Sequence, residues 1–174
     1  MLNSVWKAKA PQKAIMTAWR VLKNRIPTCD NLRKRQVPLC EEDTKCKECG
    51  MQEESAYHVF LACPKMEEAW NDLQKWLGTA TVRPNSIESH FGTFAAFGKE
   101  KKVKNLLLAI WVCCIWLLWK KRNEKRFEYK EWDPKKLVME VKIRMWSWNR
   151  IFGIVEDVSN LDSWCADKFV PRMM

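Results

Sequence analysis

Residues 46–63 read CKECGMQEESAYHVFLAC, and the placing of Cys46, Cys49, His58 and Cys63 within them decides how the chain folds. A zinc ion takes four thiolate or imidazole donors at tetrahedral corners, about 2.3 Å from sulfur and about 2.1 Å from nitrogen. Cys46-x-x-Cys49 is the spacing of a tight turn that aims two sulfurs at one point, and Gly50 frees the backbone directly after it. Ser55 to Leu61 predicts a short helix presenting His58. On an ideal α-helix His58 and Cys63 stand about 140° apart, so they converge only if the helix ends near Leu61 or Ala62. Pro64 favours such an ending. The competing reading is a packed pair of reduced cysteines beside an incidental histidine, but the segment is too polar to fold unaided. Four filled corners leave none for water, so the predicted zinc is structural, one ion per chain, and not catalytic.

The other cysteines carry less. The chain has eight cysteines. Lys7, Lys9 and Lys13 interrupt the apolar run that a secretory leader needs, so a disulfide framework is not expected. The expected location is intracellular, nuclear or cytoplasmic. Cys113 and Cys114 lie in an apolar stretch and read as core. Cys29, Cys40 and Cys165 lack partners at ligand spacing, with Cys40 the one credible substitute ligand. His90 is isolated and reads as a loop residue.

Outward from the cysteine-rich segment the periodicity is helical. Ile15, Trp19, Leu22 and Ile26 form one stripe and predict a helix over 12–26, stopped by Pro27. CDNLRKRQ predicts a short helix capped by Asp30. Residues 64–78 predict another, with Pro64 early, Met66, Trp70, Leu73 and Leu77 as its buried stripe, and Gly78 as its C-cap. Residues 79–98, with Pro84 and Gly92, read as a linker. A long helix is expected over 101–129, apolar nearly all round at first and strongly charged later. Asp133-Pro134 starts a further helix that Gly153 ends. Leu106 to Trp119 imitates a membrane span, but fourteen residues of helix cover about 21 Å against about 30 Å of hydrocarbon. A buried core helix is the better reading, with no membrane partner. The fold class is mainly α: a small zinc-stabilised helical domain over 5–78, the linker, and a helical extension over 99–174.

Charge narrows the function. The 174 residues carry a net +10 and eleven tryptophans. Residues 1–45 hold ten basic and four acidic side chains, a net of +6. Such a surface attracts polyanions, nucleic acid above all. The candidate contacts are Lys13, Arg20, Arg25, Arg33, Lys34 and Arg35, with Trp19 or Trp6 stacking on an unpaired base. No glycine-rich phosphate loop, His-Glu-x-x-His or Gly-x-Ser-x-Gly occurs, so neither an enzyme nor a small-molecule substrate is expected.

Several features converge on one family. Trp6, Pro11, Lys13, Trp19-Arg20, Arg25-Ile26-Pro27-Thr28, Asn31-Leu32 and Arg35 precede the Cys-Cys-His-Cys set, which comes with Glu53, Glu54 and the His58-Val59-Phe60 run and is followed by Trp70. Residues 5–77 resemble the zinc-binding domain associated with the reverse transcriptase of plant non-LTR (LINE-type) retrotransposons. Further on, Trp116-x-x-Trp119-Lys120-x-Arg122-Asn123 resembles a segment that often follows this domain. The resemblance implies a module that accompanies the polymerase and helps hold template RNA or target DNA. The chain has no Tyr-x-Asp-Asp, and Tyr57 and Tyr129 are its only tyrosines. Two other readings stand beside nucleic-acid binding. One is a protein-interaction module that docks through tryptophan-rich helices, with a reverse transcriptase or another protein as partner. The other is a folded transposon remnant without a selected role.

Overall fold

A computed structural model describes residues 2–79, 84–96, 100–154 and 161–165. Among these, seven segments form α-helices: α1 (Gln12–Leu22), α2 (Cys29–Lys34), α3 (Pro64–Leu77), α4 (Ile87–Ala96), α5 (Lys101–Glu128), α6 (Pro134–Phe152) and α7 (Leu161–Cys165). A 3-10 turn at Leu2–Lys7 leads into α1, a second at Glu41–Asp43 precedes the first cysteine pair, and a π turn spans His58–Ala62. No strand forms among the described residues, and the single bridge, Lys45 with Glu53, closes the cysteine loop. The mainly helical reading holds.

The centre of the molecule is α5. From Leu106 to Leu118 every residue except Trp116 is buried, which accounts for the missing amphipathic stripe: a helix covered on all sides needs no polar face. It packs against α1, α4, α6, the N-terminal 3-10 turn and the π turn carrying His58. By length and composition alone α5 would span a membrane, but most of its apolar window lies inside the protein.

Helix ends follow local chemistry. α3 stops at Gly78, which takes a left-handed conformation (φ 67°). α6 starts where Asp133 accepts the Lys136 amide and ends before Gly153 at φ 55°. α1, expected to reach Ile26, stops at Leu22. Asn24 adopts φ 47°, its amide donates to Val21 O at 2.9 Å, and the Arg25 amide donates to Arg20 O at 2.7 Å. This is the Schellman closure, with asparagine in the place glycine usually takes. In α2 the cap position falls on Thr28, and Asp30, the expected cap, lies inside the first turn.

The segment expected as a linker, 79–98, contains α4. Ile87, His90, Phe91 and Phe94 are its buried stripe, and Ser86 Oγ accepts the Ser89 amide at 3.0 Å. A serine cap followed by apolar residues at 87, 91 and 94 was the overlooked signal; Gly92 masked it. His90 is therefore a core residue, buried and bonded to Trp111. One hydrophobic core runs from Val5 through Phe60 and Trp111 to Trp164, so residues on both sides of α4 share it.

Candidate metal centre

The four predicted donors meet. Cys46 Sγ, Cys49 Sγ, His58 and Cys63 Sγ lie within 4.8 Å of one another. Cys49 Sγ and His58 Nε2 are 3.3 Å apart, near the roughly 3.6 Å that a shared tetrahedral zinc would impose. Cys46, His58 and Cys63 are buried and Cys49 is half-buried. Cys40, the substitute considered above, is exposed and stands outside the cluster.

Each donor is placed by its own element. The Cys46–Cys49 turn closes through the Gly50 amide, which donates to Cys46 O at 2.8 Å. Gly50 sits at φ 67° with open space where a Cβ would stand, so the glycine is required by conformation and not by crowding. His58 and Cys63 converge as expected above, because the helical turn ends at Ala62 and Cys63 leaves it with extended backbone (φ −68°, ψ 130°); the turn is in addition wider than an α-helix. The Cys63 amide donates to His58 O at 2.8 Å, a bond between residues five apart. That wider turn sets positions five apart over one another, where an α-helix would leave them about 140° apart. Cys63 then caps α3, with Pro64 as its first residue.

The electrostatics favour a cation. The amides of Glu48 and Cys49 point at the Cys46 sulfur, and those of Lys65 and Met66 at the Cys63 sulfur. Cys63 is held below the usual thiol range, first by the hydrogen bond from Cys46 and then by these amides against burial. Cys46 is pushed up by that same bond and by burial. A bound metal ion takes both sulfurs as thiolates and displaces the protons they carry. Burial keeps the His58 imidazole neutral, its pKa lowered, as a metal ligand requires. Donor type, spacing and amide support all fit one structural zinc ion, which fixes the loop to α3 and leaves no ligand position for water.

Two carboxylates in this loop were not singled out for a role from sequence. Glu54, 1% exposed, accepts Arg122 Nε at 3.0 Å and also Arg122 Nη2. It further accepts the Cys29 amide at 3.2 Å, and Arg126 Nη1 lies 3.6 Å away. Glu48, its side chain 3% exposed, accepts Trp132 Nε1 at 2.6 Å and Lys65 Nζ at 3.0 Å. Arg122, on the stretch of α5 read as strongly charged, is buried, its guanidinium 4.7 Å from the Trp119 ring centre.

The basic residues are distributed as follows. Lys13, Arg20, Arg25, Arg33, Lys34 and Arg35 are all exposed. Arg33 pairs with Glu53 at 3.2 Å and Lys34 with Asp30 at 3.3 Å. Arg35 Nη2 donates to Arg25 O at 3.0 Å, joining the exits of α1 and α2. Trp19 is half-buried against Trp6, with ring centres 6.0 Å apart.

These features define a helical domain built around a three-cysteine, one-histidine zinc centre. Residues 1–70 match the family described as zinc-binding in reverse transcriptase, a span that holds all four donors and ends inside α3. Trp116, Trp119, Arg122 and Trp132 lie beyond that match. Comparison with curated proteins and with solved structures found no match.

Proposed function

We propose that the chain is a non-catalytic, intracellular module that binds nucleic acid through phosphate contacts, on a scaffold fixed by zinc. The observation that carries this reading is the exposure of all six cations on α1, α2 and their junctions. Among the described residues, only Arg33 and Lys34 of these six have a carboxylate partner, and both pairs are at the surface, where such pairs contribute little. Their heads remain open to polyanions. Trp6, 43% exposed beside Trp19, offers an aromatic face at the same end of α1, suited to an unpaired base. The family description, zinc-binding in reverse transcriptase, agrees with RNA or DNA as ligand and a polymerase as associated protein.

The test is binding of the zinc-loaded chain to single-stranded RNA and DNA over a range of salt. Phosphate contacts give a log–log slope of about 0.7 per contact on single strands. A slope of two or more supports the reading, and salt-independent binding refutes it.

A protein-docking role has one observation in its favour. Met139 and Ile143 are exposed on α6, beside a groove of about 460 Å³ that includes Trp148 and Arg144. The tryptophans favour it less, since Trp70, Trp76, Trp111, Trp148 and Trp164 are buried in the core.

A further inference from the structure

We propose that Glu48 and Glu54 are positioning residues of the zinc centre, and that Arg122 of α5 and Trp132 of the α5–α6 connection hold them, so that segments outside the family match set the affinity for zinc. The inference rests on the zinc centre and not on nucleic-acid binding.

Glu48 lies between Cys46 and Cys49, inside the turn that aims both sulfurs. Its carboxylate is closed off by Trp132 Nε1 and by Lys65, itself two residues after Cys63 and seated 4.6 Å from the Trp132 ring centre. One indole therefore touches a group within the first ligand pair and covers a group beside the fourth ligand. Glu54 is four residues before His58. Its backbone amide donates to Thr44 O at 2.9 Å and its carbonyl accepts from Asp30 at 3.2 Å, which pins the loop between Cys49 and His58 to α2. Its side chain is oriented by Arg122 and Arg126 of α5. Arg126 Nη2 also donates to Asp43 O at 3.0 Å, gripping the approach to Cys46. Trp119 completes the frame: Arg122 lies over its ring, and its other neighbour is Phe60, 6.2 Å away and two residues after His58.

Each carboxylate is nearly inaccessible to water, so neither holds its position without its partner. An α5 lacking Arg122 leaves the buried Glu54 with Arg126, 3.6 Å away, as its remaining cationic partner, and the loop shifts to hydrate the oxygens that Arg122 had covered. That shift carries His58 and the Cys46 approach away from the geometry that binds metal. Coupling between two sites is reciprocal. If the ligand loop needs α5 and Trp132 to hold its shape, zinc binding must in turn favour docking of α5 and of the segment that carries Trp132. Groups that orient metal ligands typically change metal affinity about 10–100-fold when lost.

The experiment uses the full chain and measures zinc affinity by competition with a chromophoric chelator, with cobalt(II) absorption reporting the ligand set. Three single variants and one double variant are compared with the parent. Arg122→Met removes the cation at similar length, Trp132→Phe removes the N–H donor while keeping one aromatic ring, and Arg150→Met removes an exposed cation from α6. The expected result is a zinc dissociation constant raised about tenfold or more by Arg122→Met and several-fold by Trp132→Phe, with none for Arg150→Met. Cobalt bands keep a tetrahedral three-sulfur, one-nitrogen position throughout. Glu54→Gln combined with Arg122→Met, which removes both charges, recovers part of the lost affinity. Zinc affinities within twofold of the parent in Arg122→Met and Trp132→Phe overturn the proposal, even if melting temperatures fall. Should Arg122→Met not fold, Trp132→Phe decides alone. A parent chain that takes up no zinc overturns the centre itself, and this inference with it.

Discussion

His90 Nδ1 accepts the indole N–H of Trp111 at 3.1 Å, joining α4 to the middle of α5 in a fully packed setting. The bond needs a neutral imidazole with its acceptor nitrogen free. Burial lowers the His90 pKa to about 4, against about 6.5 in an unfolded chain. The unfolded state therefore binds a proton first as pH falls. Stability from this group is fully present above about pH 6.5 and is lost progressively towards pH 4, by about 3 kcal/mol in all. Denaturant titrations at pH 7, 5.5 and 4.5 should show it. The zinc centre titrates in the same direction, so the quantity to read is the difference from His90→Gln, which is expected to lose less on acidification. Equal losses in the two proteins would remove His90 from the account.

Metal content is the next expectation. The purified chain should hold one equivalent of zinc, and Cys49→Ser or His58→Ala should lower the melting temperature steeply, because at structural sites binding energy is folding energy. A chelated sample that melts with the parent would show that the four donors are not a zinc centre.

The helix read as a core element gives a third. Ile110 is completely buried in α5, and Ile110→Ala should cost about 2–5 kcal/mol in denaturant unfolding. A membrane-embedded helix would tolerate this exchange of one apolar side chain for another. Recovery of the chain only with detergent would overturn the buried-helix assignment.

Nucleic-acid binding gives the fourth. Lys13→Ala, Arg20→Ala and Arg25→Ala together should weaken binding to single-stranded RNA or DNA at least tenfold at low salt and lower the salt slope by about two. The matched control is Lys135→Ala, Lys136→Ala and Arg150→Ala, all exposed on α6. Lys120, Lys121 and Arg122 would be a poor control. Arg122 is the buried partner of Glu54, and Lys121 bridges Glu124 and Glu140. Equal losses in the two sets mean nonspecific surface charge, and no loss in either abandons the reading.

What could be read from sequence was local. Met66, Trp70, Leu73 and Leu77 announce α3 because burial repeats every three or four residues, and Asp133-Pro134 announces α6 because a cap and a fixed φ suffice. The zinc donors were legible for the same reason, lying within eighteen consecutive positions. The pairing of Glu54 with Arg122 was not. Sixty-eight residues separate them, and no periodicity ties a carboxylate in a loop to one guanidinium among many in a charged helix. The π turn was also hidden, since a helix that widens by one residue leaves no signature in HVFLA. Asn24 closed α1 early because asparagine tolerates the left-handed region, which the apolar stripe running on to Ile26 obscured.

The Glu48–Trp132 bond has a consequence for biosynthesis. A ribosome delivers Trp132 sixty-nine residues after Cys63, which at about 5–20 residues per second is about 3–14 s. During that interval the nascent chain carries every zinc donor without Trp132, and until its last ten residues without Arg122. Stable capture of the ion is then a late step in maturation. Pauses in translation between codons 64 and 132 lengthen the time in which three thiols stand open to oxidants and competing metals.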